Sequence, residues 1–395
     1  MKSSVHFDVI VVGAGPAGSL CATLLAQAGL KTLLIDKSRF PRDKICGDCI
    51  NPACWDYFDV MGVSNTLRAL GLRVIEAVRV ANTTGKEILL TIPSDPAEPF
   101  FSMKRSALDD VLRKRAIEEG ATFFGETRIL DATYNGTWNV LLGGESGIEA
   151  YSCNYLVGTD GRNSSVAGKI GAWSENVSSV AGGKRIGLQC HARYLPAVGS
   201  EVRLGTLERG YFGVVNVDDH NANIAMVVDA DAATNTFRDL LEFVEEVLCG
   251  HPMLGREISH SGFIDKVITT FPINPVRRHW NKPQVFLAGD ARQTVEPFTG
   301  EGVYFALKDG IRTTQEILPF YGLKLDGIVH SRRNYWVNRA FSPILSNYEL
   351  AEFFFGVVSH FAWFAGMLAG RILGGHSHDG VWRSKMQEAV PLQRR

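Results

Sequence analysis

The stretch Val11-Val12-Gly13-Ala14-Gly15-Pro16-Ala17-Gly18 is the most informative part of the chain. It follows an apolar run at 7–12, which is typical of a central strand in a parallel sheet. Residues 16–28 then carry leucine and alanine on one face, which predicts a helix that ends at Gly29. A strand, a G-x-G-x-x-G turn and a helix form the dinucleotide-binding unit of a doubly wound α/β fold.

Each residue type in this turn has a physical task. Gly13 permits the tight turn, Gly15 lets the backbone approach a pyrophosphate, and Gly18 lets the helix pack closely on the strand. Pro16 and Ala17 open the helix, whose free N–H groups and positive dipole end favour phosphate.

An acidic residue closes the second strand of this unit. Residues 31–35 form a short strand-like run, and Asp36 follows it directly. A carboxylate at this place accepts hydrogen bonds from a ribose hydroxyl and disfavours a 2′-phosphate. The sequence therefore favours FAD or NAD over NADP.

Two further glycine segments occur downstream. Gly158-Thr159-Asp160-Gly161 follows an apolar run, and Ala288-Gly289-Asp290-Ala291 ends another at 285–288. The chain then continues into Pro297-Phe298-Thr299-Gly300-Glu301-Gly302 and a predicted helix at 303–318. Taken alone, an Asp-Gly pair indicates only a turn. Three such segments in this order and spacing predict one FAD site and hence redox chemistry.

A basic loop follows the first unit at 39–48. Pro41 makes it unsuited to a helix or a strand, and Arg42 and Lys44 could neutralise cofactor phosphates. The loop also holds a C-x-x-C pair, Cys46 and Cys49. A zinc site needs further ligands, and the sequence has neither a second C-x-x-C nor paired histidines at suitable spacing, so we predict no metal. A redox disulfide within the pair remains an open alternative.

Two of these segments resemble a known family. Pro-Arg-x-Lys-x-Cys-Gly at 41–47 and Pro-x-x-Gly-Glu-Gly at 297–302 are similar to the geranylgeranyl-reductase-like branch of FAD-dependent oxidoreductases. That branch belongs to the para-hydroxybenzoate-hydroxylase-type flavoprotein superfamily. The resemblance implies that the 41–47 segment lies against the flavin, with Cys46 on its substrate side.

The resemblance also assigns roles to single residues. Arg105, in an Arg-x-x-Leu-Asp pattern before a predicted helix at 106–120, and Asp160 are expected near the pyrophosphate. Asp290 is expected on the ribityl hydroxyls. The full set of predicted cofactor-binding residues is Gly13, Gly15, Pro16, Ala17, Gly18, Asp36, Lys37, Arg42, Lys44, Cys46, Gly47, Arg105, Asp160, Gly161, Gly289, Asp290, Pro297, Gly300, Glu301 and Gly302.

The region between 182 and 271 carries alternating apolar runs, which predict an antiparallel sheet over the cofactor. Tyr211 lies at the expected edge of the substrate pocket. Archaeal prenyl reductases carry Tyr-x-Trp-x-Phe-Pro there, whereas this chain has Gly213 for the tryptophan and Val215-Asn216 for Phe-Pro. The Trp-x-Trp-x-Ile-Pro motif of flavin halogenases is also missing from the sequence. The first departure counts against an isoprenoid substrate, and the second counts against halogenation.

We predict an α/β protein with a doubly wound Rossmann-type FAD-binding domain, an inserted β-rich substrate domain and a C-terminal helical cap. The expected bounds are 1–60, 100–180 and 283–316 for the FAD-binding domain, 61–99 and 181–282 for the substrate domain, and 317–395 for the C-terminal helical region. Residues 353–370 lack acidic and basic side chains. A buried helix is favoured there, and a membrane-contacting helix is the alternative.

The predicted function is that of an FAD-dependent oxidoreductase acting on an apolar or aromatic substrate. Reduction of a C=C bond by hydride from reduced flavin is favoured, with Cys46 or Tyr211 as proton donor. The alternative is an FAD-dependent monooxygenase that hydroxylates an aromatic small molecule or protein side chain. Flavin halogenation and non-catalytic binding are minor alternatives. With one dinucleotide fingerprint in the chain, NAD(P)H is expected to reach the flavin only transiently.

Bulk properties narrow the partners and the location. The 395-residue chain has a formal net charge of −1, which gives no general attraction to nucleic acid. Its seven cysteines, an odd number, fit reduced thiols in a cytoplasmic protein. Residues 1–6 are too few for a signal peptide. Peripheral membrane contact, a protein partner and the oligomeric state stay open.

Overall fold

The structure is a computed structural model that describes residues 5–92, 95–145, 147–176, 184–234, 239–254, 258, 262–325 and 393–394. Its helices are α1 (Pro16–Gln27), α2 (Trp55–Met61), α3 (Ser64–Ala69), α4 (Arg105–Glu118), α5 (Ser165–Lys169), α6 (Ala230–Thr234), α7 (Leu240–Gly250) and α8 (Gly302–Ile317).

The strands occur singly and in runs between these helices. They are β1 (Val5–Val12), β2 (Thr32–Ile35), β3 (Cys49–Ile50), β4 (Arg73–Val74), β5 (Ala77–Ala81), β6 (Glu87–Thr91), β7 (Phe101–Ser102), β8 (Thr122–Phe124), β9 (Arg128–Tyr134), β10 (Trp138–Gly144), β11 (Gly147–Gly158), β12 (Trp173–Asn176), β13 (Arg185–Arg193), β14 (Glu201–Leu207), β15 (Gly210–Asn216), β16 (Asn221–Asp229), β17 (Ile268–Thr270), β18 (Val276–His279), β19 (Val285–Leu287), β20 (Leu323–Lys324) and β21 (Gln393–Arg394).

The first large sheet has β1 at its centre. Strands β8, β2, β1 and β11 run parallel in that order, β19 pairs in parallel with the end of β11, and β10 and β9 extend the sheet in antiparallel fashion. Val9 and Val11 enter one apolar core and Ile10 enters another, so β1 is buried on both faces. This explains the uninterrupted apolar sequence of its last four residues, Val9 to Val12, and confirms the predicted doubly wound α/β fold.

The register of β1 brings the predicted glycine segments together. Val12 pairs with Ile35 on one side and with Gly158 on the other, so these strands end at one edge of the sheet. Gly13 turns there with φ of +107°, and a Cβ on it would lie 2.5 Å from the carbonyl oxygen of Thr159. A Cβ on Gly18 would lie 1.9 Å from the carbonyl oxygen of Gly13. Only glycine fits either place.

Helices α1 and α8 pack against each other beside this edge. A Cβ on Gly310 would lie 2.7 Å from the carbonyl oxygen of Ala17, and a Cβ on Gly289 would lie 3.3 Å from the Ala17 Cβ. These small residues let α8 and the turn at Gly289 approach the start of α1. The third glycine segment thereby reaches the same edge as the first two.

The second large sheet has the order β17, β13, β16, β15, β14, β5, β6. It contains the three runs expected at 186–192, 210–217 and 222–228, which are β13, β15 and β16 in antiparallel pairing. One face packs on α7, where Phe212, Ile224 and Phe243 share a buried core. Alternate residues of the same strands, such as Tyr211 and Val215, belong to separate apolar clusters on the opposite face.

The predicted domain division stays a prediction, although strands from both expected substrate segments do share the second sheet. The expected cap at 353–370 lies outside the described residues. Within the described ranges, no helix is both long enough and apolar enough to cross a bilayer.

Replacing Gly310 by alanine tests the contact between α1 and α8. Alanine favours a helix by about 1 kcal/mol over glycine, but the new Cβ would overlap the Ala17 carbonyl, and overpacking typically costs about 1–3 kcal/mol. We expect Gly310→Ala to lower the midpoint of thermal unfolding. Gly168→Ala is the matched control, because a Cβ at this α5 position meets nothing within 4 Å. Equal midpoints for the two variants would contradict the close contact.

Candidate functional site

A cavity of about 820 Å³ lies between the two large sheets and carries residues from both. It contains nearly every residue selected from the sequence. The predicted residues that line it are Gly13, Gly15, Pro16, Ala17, Asp36, Lys37, Arg42, Lys44, Cys46, Gly47, Arg105, Asp160, Gly161, Tyr211, Gly289, Asp290, Pro297, Gly300 and Gly302. Gly18 and Glu301 are predicted site residues that lie behind the lining. Gly18 packs on Gly13, and Glu301 is buried at the start of α8.

Asp36 is held at the dinucleotide end of the cavity. Its carboxylate accepts hydrogen bonds from the backbone N–H groups of Ala14 and Ser38, both at 2.9 Å. The carboxylate is therefore fixed beside the first glycine turn. Gly15 leaves open space there, because a Cβ on it would meet only the Arg42 guanidinium, at 3.5 Å.

Arg42 and Arg105 form a charged cluster next to this turn. Arg42 lies 3.6 Å from Asp36 and 3.2 Å from Asp109, and Arg105 makes a bidentate pair with Asp109 at 2.9 and 3.0 Å. Arg105 is the first residue of α4, one position earlier than the sequence indicated. Asp109 was missed, although its Arg-x-x-Leu-Asp spacing places it one helical turn after Arg105.

The two downstream aspartates line the same end of the cavity. Asp160 accepts hydrogen bonds from the N–H groups of Ser165 and Val166 at 2.6 and 3.2 Å, so it caps α5 as well. Burial raises the pKa of Asp160. Asp290 lies 3.7 Å from the Lys44 ammonium. The basic loop at 39–48 and the third glycine segment are thus adjacent, as one cofactor site requires.

Cys46 is fixed by two amide side chains of the second sheet. Gln189 accepts from the Cys46 N–H at 3.0 Å, Asn223 donates to the Cys46 carbonyl at 3.0 Å, and the two amides bind each other at 2.7 Å. Burial raises the pKa of the Cys46 thiol, although the Arg105 guanidinium opposes this. Desolvation thus favours the protonated thiol, which is the form that can act as an acid.

The two cysteines of the C-x-x-C pair are not bonded to each other in the structure. Cys46 and Cys49 are both free thiols that line the cavity, and the Cys49 thiol donates to the Gly47 carbonyl at 3.3 Å. A redox disulfide between them stays a hypothesis.

Tyr211 is the second predicted acid, and its hydroxyl has a strong partner. It donates to the Glu296 carboxylate at 2.5 Å, and Arg185 binds the same carboxylate at 2.8 Å. Burial, followed by the Glu296 charge, raises the pKa of Tyr211 well above its usual value. This geometry favours Cys46 over Tyr211 as proton donor, and the role of each stays a prediction.

Several residues of this region were not selected from the sequence. Arg185, Gln189 and His191 stand at alternate positions of β13, on the face that carries the cavity-lining Gly187. The sequence could have indicated these three residues, because they are polar side chains in an otherwise largely apolar strand. Glu296, the partner of Arg185, had a weaker signal, because it lies just before the Pro-x-x-Gly-Glu-Gly segment.

The far wall of the cavity is apolar. It comes from alternate residues of β5, β6, β14 and β15, and the side chains are Val78, Val80, Ile88, Leu90, Val202, Leu204 and Val215. Neighbouring strands lie about 4.8 Å apart, so the four strands give a wall about 14 Å across. Gly213 adds no side chain to it.

The polar end of the cavity fits FAD. It combines an open glycine turn at a helix N-terminus, a fixed carboxylate at Asp36, and cations at Arg42, Lys44 and Arg105. Phosphates suit the first and last of these features, and a ribose hydroxyl suits the second. The fold and this cavity together define a Rossmann-type flavoprotein.

The chain belongs to the FAD binding domain family, whose model matches residues 6–321. It is 28% identical over 337 residues to a menaquinone reductase of Mycolicibacterium smegmatis, with 80% of this chain and 77% of that protein covered. It is 27% identical over 323 residues to a geranylgeranyl diphosphate reductase of Rhodobacter capsulatus, with 80% and 76% covered.

Solved structures show the same fold. The flavin-dependent brominase Bmp2 superposes with a TM-score of 0.75 and 20% identity, over 97% of this chain and 99% of its own. The predicted family resemblance and the FAD cofactor are confirmed, and the protein is an FAD-dependent oxidoreductase.

Substitutions at Glu296 and at Tyr211 should lower the free energy of unfolding by different amounts. Glu296→Gln leaves the buried Arg185 without its counter-charge, which typically costs about 3–5 kcal/mol. Tyr211→Phe removes one hydrogen bond to a charged group, at about 1.5–3 kcal/mol. Urea unfolding of the FAD-loaded protein measures both, with Glu208→Gln, exposed in the turn between β14 and β15, as control. If Glu296→Gln is no less stable than the control, the buried Arg185–Glu296 pair does not stabilise the folded protein.

Proposed function

We propose that this protein reduces a C=C bond of an elongated, apolar, isoprenoid-type substrate. One observation carries the proposal, namely that an apolar wall about 14 Å across and the half-buried Cys46 thiol line the same FAD cavity. The curated relatives named as menaquinone reductase and geranylgeranyl diphosphate reductase support it.

The chain's own residues account for binding and for the proton. Val78, Val202 and Val215 offer an apolar face along which a hydrocarbon chain can lie with loss of its hydration. When bound and reduced, FAD supplies hydride to one carbon of the double bond. The Cys46 thiol donates a proton to the other carbon. The Gln189–Asn223 pair holds the Cys46 backbone and so fixes the direction of its side chain.

NAD(P)H is the proposed electron donor. Since the chain has one dinucleotide fingerprint, the nicotinamide would enter the cavity only to reduce the flavin and then leave. A monooxygenase or halogenase would use the same fold. At 20% identity the similarity to the brominase carries the fold alone and favours neither of them.

The test is anaerobic conversion of geranylgeranyl diphosphate, and of a menaquinone, by dithionite-reduced FAD-loaded protein. Mass spectrometry should find a hydrogenated product without oxygen. A product that carries an oxygen atom and forms only in air would replace the proposal by a monooxygenase.

Cys46→Ala tests the proton donor separately. A positioned general acid contributes about 10²–10⁴-fold to rate, so we expect at least a hundredfold loss with unchanged FAD content. Cys249→Ala, on α7 away from the cavity, is the matched control and should keep full activity. Equal rates for the two variants would remove Cys46 from the chemistry while leaving the reductase assignment intact.

A further inference from the structure

A row of paired residues crosses the cavity face of the second sheet. Gln189 of β13 pairs with Ala225 of β16, and Ala225 pairs with Gly213 of β15. Gly213 in turn pairs with Leu204 of β14. Directly opposite residues on paired antiparallel strands lie on the same face of a sheet. Ala225, Gly213 and Leu204 accordingly all line the cavity.

The backbone does not require glycine at position 213. Its φ lies outside the left-handed region, and glycine inside a strand costs stability. Among the described residues, a Cβ on Gly213 would meet one atom within 4 Å, the flexible Leu204 Cδ2 at 3.1 Å. A Cβ on Gly187 of the same face, by contrast, would lie 2.7 Å from Ile273 Cδ1 and 2.9 Å from Thr270 Cγ2. Gly187 therefore makes room for protein atoms, whereas Gly213 leaves space in the cavity.

Gly213 and Ala225 together form a depression in the cavity face. On β15 the neighbours on the same face are Tyr211 and Val215, two residues to either side of Gly213. Val227 takes the corresponding place beside Ala225 on β16. Paired strands lie about 4.8 Å apart, and the four residues from Tyr211 to Val215 span about 14 Å. The depression is thus two strands wide between larger side chains, a shape that matches the flat face of a ring.

The depression begins beside the Cys46 loop. Gln189, which binds the Cys46 N–H, is the cross-strand neighbour of Ala225. Asn223, which binds the Cys46 carbonyl, lies two residues before Ala225 on β16. Cys46 and Ala225 both line the cavity. A group that lies over Ala225 is therefore next to Cys46.

The border of the depression is aromatic on one side. Tyr211 packs edge-on against Phe298, with the ring centroids 5.2 Å apart, and both residues line the cavity. Within the described ranges, the lining residues that the second sheet contributes are all uncharged. An anionic group would have no counter-charge on this face, whereas a neutral ring gains contacts with aromatic side chains.

We propose that the depression over Gly213 and Ala225 is a subsite for an uncharged, flat ring that the substrate carries next to its reducible double bond. This inference rests on the proposed function, because it places that double bond beside Cys46. The two small residues then determine whether a ring-bearing substrate, such as a prenylated quinone, can bind.

A second row gives the prenyl chain its own path. Asn223 pairs with Val215, Val215 pairs with Val202, and Val202 pairs with Val78. The three valines line the cavity and lead away from the Cys46 loop. A prenyl chain can follow this row while the ring occupies the depression. A linear prenyl substrate uses the valine row alone, so it does not depend on the small residues.

The test compares a short-chain menaquinone with geranylgeranyl diphosphate in the FAD-loaded protein, without oxygen. Excess dithionite keeps the quinone ring reduced, so mass spectrometry reports only hydrogenation of the prenyl chain. Gly213→Val and Ala225→Val fill the depression with a residue that suits a strand. One methylene in an apolar pocket changes kcat/KM by about 10–200-fold, so we expect at least a tenfold loss with menaquinone and less than about a threefold change with geranylgeranyl diphosphate.

Ala197→Val is the matched control, because Ala197 is exposed in the loop between β13 and β14. It should keep wild-type rates with both substrates. FAD content shows that each variant is folded, and Gly213→Ala, which adds a single methyl group, replaces any valine variant that does not fold. An equal loss with both substrates would contradict the ring subsite, since it indicates general obstruction of the cavity. Wild-type rates with menaquinone would contradict it as well.

Failure of the proposed function is detected separately with menadione, a naphthoquinone ring without a prenyl chain. Its binding to the oxidised, FAD-loaded protein needs no reaction, and the change in flavin absorbance gives its Kd. We expect a Kd at least about tenfold higher in Gly213→Val and Ala225→Val than in Ala197→Val. Equal Kd values, or no binding to the wild-type protein, would overturn the ring subsite. The expected Kd pattern without conversion of either substrate would support the subsite and overturn only the reductase proposal.

Discussion

The polar face of β13 is the constraint on which the cavity depends. Arg185 binds Glu296, Gln189 binds the Cys46 backbone, and His191 lies beside Asp48. Each of these contacts joins the second sheet to a loop at the carboxyl edge of the first sheet. Because buried polar groups must be paired, the contacts fix the two loops relative to the sheet more strictly than apolar packing would.

Burying these charges costs stability, but it orients the residues around the cavity. A well-packed apolar interface between the sheets would be at least as stable as the Arg185–Glu296 pair, since buried ion pairs rarely exceed their desolvation cost. The contribution of the polar face is to orient the groups that line the cavity. It turns the Cys46 thiol and the segment before α8 toward a shared space, while alternate residues of β14 and β15 keep the rest of that space apolar.

The sequence predicted most of the strands and turns, because these depend on residues that are close together in the chain. The strand at 7–12, the glycine turn and the runs at 186–192, 210–217 and 222–228 all have the expected form. Close backbone contacts at Gly13 and Gly18 follow from a motif whose geometry is local. The resemblance at 41–47 predicted that Cys46 and the basic loop lie at the cofactor site, and both line the cavity.

The partners of these residues could not be predicted in the same way. Glu296 and Arg185 are 111 positions apart, and Cys46 and Gln189 are 143 apart, so nothing local indicates that they meet. For Tyr211 the strand was predicted but not the carboxylate that binds its hydroxyl. Asp160 could be predicted, because its Asp-Gly turn is visible in the sequence. The structure places it in the cavity lining, as expected.

A crystal structure of the FAD-loaded protein with geranylgeranyl diphosphate would test the central claim most directly. The account predicts that the prenyl chain crosses the wall formed by Val78, Val202 and Val215. It also predicts that a double bond lies within about 4 Å of the Cys46 sulfur. A chain bound away from this wall, or separated from Cys46 by other side chains, would contradict it.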